Sequence, residues 1–346
     1  MRRWMAALLA AVAVFSGVGI ASAAGAPVKA NGETVRIQLI PGLLLSLPLY
    51  TAVDKGFFAE HGIKPELIPL ATGPLGVQAL LSNSIEVADT GTEVLMNAYA
   101  KQADIQLIAG LVKTNTFTVE VSKSVPLPHL MAGYPAVMQD LKGIIFGVSA
   151  LGSSGQLYAN ALFADAKLDP SAVHYLAVGS SVTAYPALTT GKIQAYMATE
   201  PMQTLCKVLN SCVAVIDLRK GQGPSEIADT NGASLTFAAQ RGYIASHPVA
   251  IKAFIQSIKD ADNWMRNPKH FAELLALTES HIGLSTFPNH GALLSAMLRD
   301  NMQYFNASIS RKAIVNLSRF LVKYKQIPNE IVPDKFVFSE APQPAP

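Results

Sequence analysis

Short apolar runs, stripes of helical period and loops of small residues succeed one another along the 346-residue chain. VRIQLI (35–40) reads as a first strand. PGLLLSLPLYTAVDKGFFAEHG (41–62) reads as a loop running into a helix that Gly62 ends. KPELIPL is a second strand, ATGPLG a turn into a helix over Val77–Leu81, and EVADT a third strand. Gly91, Thr92 and Glu93 open a helix to Lys101, and residues 104–112 form a further strand. TFTVEVS (116–122) alternates apolar and polar positions and leads the chain away from this first group. KSVPLPHLMAGYPAVMQ (123–139), rich in proline, reads as a surface excursion.

A second group runs from Leu141 to Ala214 and starts on DLKGIIFGVSALGSSG (140–155): a turn, a buried strand over Ile144–Ser149, a Gly/Ser loop, then a helix with Leu157, Ala161 and Leu162 on one side. This order presents free backbone N–H groups to a ligand. The first turn of a helix has unpaired donors and a dipole that favours negative charge. Gly152 lets the backbone approach closely, and Ser153 and Ser154 add hydroxyls. The same residues also make an ordinary helix start, because N-caps favour Ser.

The two groups echo each other. IQLIPGLLLSLPLYTA stands over IFGVSALGSSGQLYAN, GIKPELIPLATG over KLDPSAVHYLAVG, and ALLSNSIEVADTGTE over ALTTGKIQAYMATEP. Two copies of strand–loop–helix units predict an α/β chain with two lobes, each a mostly parallel sheet flanked by helices. Ligands of such sheets sit at the carboxyl ends of the strands, here in a cleft between lobes. After VAVIDLRK and the turn-rich GQGPSEIADTNGA, SLTFAAQR reads as a strand returning to the first lobe. The two crossings make a hinge, with residues 34–115 and 216–338 as lobe 1 and 116–215 as lobe 2. From Pro248 the chain is helical: Ile251, Phe254, Ile255, Ile258 and Ala261 share one face, and a further helix runs from Arg311 to Lys325. Residues 339–346 read as a disordered tail.

Half of the residues are hydrophobic and 15% are charged, which leaves ample apolar surface for a core. The net charge is +3, with Arg2 and Arg3 inside a segment expected to be removed. A near-neutral mature chain without Lys/Arg runs argues against nucleic acid as a partner. Met1–Ala24 has the basic start, short apolar core and Ala21-Ser22-Ala23 end of a secretory signal peptide, the alternative being an uncleaved anchor. The only cysteines, Cys206 and Cys212, are expected to pair in an oxidising compartment, the alternative being two buried thiols; their spacing is not that of zinc ligands.

Enzyme signatures are absent. Gly147-Val-Ser149-Ala-Leu-Gly152 has one residue too many for a nucleophile elbow, and neither a phosphate-binding Gly-Lys loop nor a His-Glu-x-x-His motif occurs. Asp89 and Glu93 could pair for acid–base work, but a charge at a helix N-terminus accounts for them better. No metal or cofactor is expected.

LPLYTAVDKGFFAEHGIKPELIPLATG, DLKGIIFGVSALGSSG, ALTTGKIQAYMATEP and RGYIASHPVAIKAFIQSIKDADNWMRNP, in this order, resemble the sulfonate/taurine/nitrate-type substrate-binding proteins of ABC importers, over roughly residues 34–270. The resemblance implies a two-lobed periplasmic binding protein fold of type II. It implies a monomer that closes on a small anionic organic molecule and delivers it to an inner-membrane permease. By analogy Leu45 and Ser46 of the loop through Pro48, Thr90, Gly91 and Thr92, Gly152 to Gly155, Gly179, Ser180 and Ser181, and Glu200 would face the cleft. GLLLSLPLY is unusually apolar for the family and favours a ligand with an organic body. Two other roles fit the resemblance: a sensor presenting its closed form to a receptor, and the branch that makes a pyrimidine precursor of thiamine. That branch has a cysteine cluster, whereas no cysteine precedes Cys206 here. N-terminal sequencing of periplasmic material should begin at Ala24 or Gly25; recovery of the full-length chain from membranes would contradict export with cleavage.

Overall fold

The computed structural model describes residues 29–287 and 289–345. The expected signal segment, residues 1–24, lies outside them.

Strand β1 (Glu33–Leu39) buries Val35, Ile37 and Leu39 and pairs in parallel with β2 (Ile63–Pro69). Between them lies α1 (Leu47–Asp54). The single helix expected before Gly62 is broken at Gly56, whose φ of 78° is left-handed, and a short turn of helix, Phe57–Glu60, follows. Glycine takes that conformation at no steric cost, so the chain turns there instead of continuing the helix. Helix α2 starts earlier than expected, at Gly73 (Gly73–Leu81), with Pro74 in its first turn. Proline is tolerated there because the N–H it lacks has no partner within the helix. β3 (Ala88–Gly91), α3 (Thr92–Ala100) and β4 (Ile105–Val112) complete the unit.

β5 (Thr118–Ser122) belongs to the second lobe. There it joins β6 (Ile145–Val148), β7 (His174–Ala177), β8 (Ala195–Ala198) and β9 (Cys212–Asp217), with helices α4 (Ser154–Asp165), α5 (Ser181–Thr189) and α6 (Met202–Val208) between them. The sheet order is β7-β6-β8-β5-β9. In lobe 1, β10 (Leu235–Gln240) lies between β3 and β4, and a parallel bridge from Ile37 to Val87 joins β1 to β3. The order there is therefore β2-β1-β3-β10-β4, the same as in lobe 2. The helix-connected strands run parallel. β5 and β10 come in from the opposite lobe and pair antiparallel with both neighbours, so each sheet is mixed.

The echo persists in the backbone. Gly62 and Lys167, aligned in the two copies, both have positive φ, as do Asn83 and Gly191. The two crossings are hydrogen-bonded to each other: Ser234 N–H donates to Val112 O (2.9 Å), and Asn115 N–H to Asn231 Oδ1 (3.0 Å). α7 (Pro248–Arg266) buries Ile251, Phe254, Ile255, Ile258 and Ala261, the face read from the sequence. α8 (His290–Asn301) and α9 (Arg311–Lys323) follow.

The excursion at 123–139 holds two short 3-10 turns. Val137 and Met138 are buried against lobe 2, and Met131 is exposed. In the tail expected to be disordered, Ala341 is buried and the Pro342 carbonyl accepts from Ile309 N–H (2.8 Å). Cys206 and Cys212 form a disulfide. Among the described residues no helix is long and apolar enough to cross a membrane.

Candidate functional site

Four helices begin on one cavity. α2 and α3 of lobe 1 follow β2 and β3; α4 and α5 of lobe 2 follow β6 and β7. The residues at their starts, Thr72 and Gly73, Gly91, Ser153 and Ser154, Ser180 and Ser181, all line one cavity between the lobes. At none of the four N-cap positions does the cap side chain accept a bond from the first-turn N–H groups. The positive ends of the four dipoles, with free first-turn donors on α2, α4 and α5, therefore converge on the cavity, while on α3 the Thr92 N–H is taken by Ser234 O (3.0 Å). Thr72 Oγ1 and Ser153 Oγ, also at its wall, are buried without any hydrogen-bond partner.

The rest of the wall is hydroxyl and hydrocarbon. Thr199 N–H donates to Ser181 Oγ (3.0 Å), and Tyr196 Oη donates to Gly179 O (2.9 Å). Ile40, Leu43, Leu45, Phe117, Met197 and Leu235 supply the apolar surface. Among the described residues no charged side chain lines the cavity. A buried glutamine pins its lobe 1 side. Gln38 Nε2 donates to Leu70 O (3.3 Å) and Thr72 O (3.1 Å), and its Oε1 accepts from Asp89 N–H (3.1 Å). A Cβ on Gly76 would stand 1.7 Å from Gln38 Oε1, so the helix start fits the pin only as glycine.

The lobes meet at Gly91 and Ser154. A Cβ on Gly91 would lie 2.0 Å from Ser154 Oγ and 2.5 Å from Glu93 Oε1. Ser154 hydrogen-bonds Glu93, which is fully buried; burial pushes its carboxyl up to about 7, with that bond pulling the other way. Burial alone pushes Asp89, the residue before Thr90, up to about 8. Among the described residues no cluster of three or more His, Cys, Asp or Glu could hold a metal ion.

Of the residues expected to face the cleft, the structure puts Leu45, Thr90, Gly91, Ser153, Ser154, Gly155, Ser180 and Ser181 on this wall. Five lie off it. Ser46 Oγ is turned to Ile40 O (3.0 Å), and Thr92 Oγ1 pairs with Thr236 Oγ1 (3.0 Å). Gly179 contributes only its carbonyl to Tyr196. Gly152 is exposed, and a Cβ there would meet nothing within 4 Å; its glycine answers a φ of 76°, not a close ligand. Glu200 lies on the hinge side, accepting from Thr204 N–H (3.0 Å), Thr204 Oγ1 (3.0 Å) and Asn301 Nδ2 (3.1 Å). It follows Thr199, which faces the cavity, and successive residues of an extended segment point to opposite sides. The sequence reading passed over Thr72 and Gly73, although the echo aligns Gly73 with Gly179. It also passed over Tyr196, Met197 and Thr199, which sit at the end of β8.

Residues 45–270, more than half of the chain, match the family model described as NMT1/THI5 like. The chain belongs to the NMT1/THI5-like family. This member is 23% identical over 239 residues to the putative binding protein YtlA of Bacillus subtilis (strain 168); the match takes in 67% of the chain and 66% of YtlA. Its fold is that of the alkanesulfonate-binding protein SsuA from Xanthomonas axonopodis pv. citri bound to MOPS, with a TM-score of 0.71, 17% identity, and coverage of 90% and 99% of the two chains. The desulfurization enzyme DSZB is a more distant structural relative, with a TM-score of 0.59, 15% identity, and coverage of 89% and 97%. The chain thus has a two-lobed α/β architecture of periplasmic binding protein type.

Gly91 on the wall and Gly152 off it should behave differently. Gly91→Ala forces Ser154 or Glu93 away and should separate the lobes, seen as a larger radius of gyration in small-angle scattering of ligand-free protein, with a loss of about 1–3 kcal/mol of stability. Gly152→Ala should cost about 1 kcal/mol through its φ alone and leave the scattering unchanged. Equal scattering for both variants would contradict the placement of Gly91 at the lobe contact.

Proposed function

We propose that the chain is the solute-binding component of an ABC importer. In this reading it is exported to the periplasm, works as a monomer, and captures a small anionic organic molecule by closure of its lobes for delivery to an inner-membrane permease. The observation that carries the reading is the convergence of four helix starts on a cavity lined by hydroxyl and apolar side chains. A carboxylate or sulfonate group would be held by first-turn N–H groups and by Ser153, Ser154, Ser180 and Thr72. The organic body would rest on Leu43, Leu45, Phe117, Met197 and Leu235. Closure would bring lobe 1 donors and lobe 2 donors onto the same anion, so the ligand stabilises the closed form that a permease recognises. YtlA and the SsuA structure, by their printed descriptions, support a binding role. DSZB keeps an enzyme as the second reading, against which stands a wall offering hydroxyls and N–H groups but no His, Cys, Lys, Asp or Glu among the described residues.

A thermal-shift screen of sulfonates, carboxylates, aromatic acids and pyrimidines tests this. The right solute at about 100 times its Kd should add roughly 2.7 kcal/mol of stability. Ser153→Ala should weaken its binding about tenfold, since a charge-assisted hydrogen bond contributes roughly 1.5–3 kcal/mol. The same change should leave ligand-free stability nearly unchanged, because Ser153 Oγ bonds to nothing there. Stabilisation by cations alone would contradict the anion reading, and conversion of the stabilising compound into product would make the chain an enzyme.

A further inference from the structure

One of the four helix starts is already occupied. Glu93, the second residue of α3, sets its carboxyl against Gly91 at the start of that helix, beside the Ser154 hydroxyl of lobe 2. Both Ser154 Oγ and Glu93 Oε1 crowd the Cα of Gly91 on the cavity wall. Glu93 is 1% exposed, and its second oxygen, Oε2, has no hydrogen-bond partner. A carboxylate in this position competes with any anionic ligand for the α3 N-terminus and for the Ser154 hydroxyl, and it repels the ligand across the wall.

We propose that an anion enters this cavity only together with one proton, taken up by Glu93, so that Glu93 sets the charge state in which the site accepts its ligand. The inference rests on the anion-binding reading of the cavity. Neutral Glu93 no longer holds Ser154 as a charged acceptor, and the hydroxyl turns to the ligand. Burial already brings the carboxyl up to about 7, so near neutral pH a small electrostatic push decides its state.

The surroundings leave Glu93 as the group that responds. From lobe 2, Ser154 and the fully buried Tyr158 phenol face it. Helix α2 and strand β10, packed against α3, carry no ionisable side chain. On α9, also in contact, Arg311, Arg319 and Lys323 are paired with Asp334, Glu330 and Glu226, and Lys312 is exposed. Asp89 lies one residue before Thr90 on β3. It does not line the wall.

Calorimetry with ethanesulfonate, benzenesulfonate and benzoate tests the proposal, since the charge of these ions does not change between pH 6 and 8. If the ligand binds only the protonated form, affinity should be about tenfold weaker at pH 8 than at pH 6. At pH 8 the heat of binding should vary with the ionisation enthalpy of the buffer, corresponding to about 0.9 proton taken up. This readout needs no variant. Glu93→Gln should remove both the pH dependence and the proton uptake, and Asp89→Asn should retain both. Binding without proton uptake, or unchanged uptake in Glu93→Gln, would overturn the role of Glu93 and leave the cavity's anion reading standing. Failure of all three ions to bind at either pH would overturn that reading, and the Glu93 proposal with it.

Discussion

Backbone N–H groups at the start of a helix have no partner within it, and here four such starts are turned toward the same space. Everything else about the site follows from keeping them there. A fixed array of dipoles must be positioned before a ligand arrives, because its value lies in needing no rearrangement when charge enters. Lobe 1 does this with Gln38, one buried amide that ties the loop at Leu70 and Thr72 to the end of β3. Its carbonyl and amino group together bond three main-chain groups of those two segments, which would otherwise lose partners in the core. In lobe 2, Ser181 Oγ fixes the start of α5 to Thr199, and the Tyr196 hydroxyl fixes the Gly179 carbonyl. Both devices use polar groups that are satisfied within the protein and leave the starts of α2, α4 and α5 free.

The two lobes share one strand order, and the strands that break the parallel pattern are the ones that cross between lobes. β5 and β10 each enter a sheet from outside and pair antiparallel with both neighbours, which anchors both crossings deep in the opposite lobe. The crossings are hydrogen-bonded side by side through Val112, Ser234, Asn115 and Asn231. Motion of one lobe against the other is therefore confined to a narrow band of chain next to the cavity. Across it the lobes touch at Gly91 and Ser154, where a side chain larger than hydrogen has no room. The lobe contact and the cavity wall thus share the same few atoms.

Much of this architecture was legible in the sequence because it is written in local patterns. Alternation and apolar runs mark the strands, and the repeated order of features marks the two lobes. Small residues after a strand mark the places where Ser153, Ser154, Ser180 and Ser181 stand. The departures have physical causes that local pattern does not carry. Gly56 looks like one more residue of an amphipathic helix, yet its left-handed φ ends it. Glu200 and Thr199 are neighbours, and only the direction of the strand end decides which of them faces the cavity. Gln38 reads as an outward polar residue of an alternating strand; its partners lie some 30 to 50 positions away in sequence, so its burial is a tertiary fact. Gly152 was legible as a required glycine, but the requirement is its own backbone angle.

In the proposed function, backbone N–H groups at four helix starts, and not a charged side chain, hold the ligand's anionic group. Amide chemical shifts in a two-dimensional NMR titration with a bound anion report on those groups directly. The largest shifts should fall at Gly73, Gly155 and Ser181 and in the first turn of α3, because these amides gain a charged acceptor on binding. Shifts centred instead on the hinge-side cavity around Arg219 and Lys207, with the four helix starts unmoved, would contradict it.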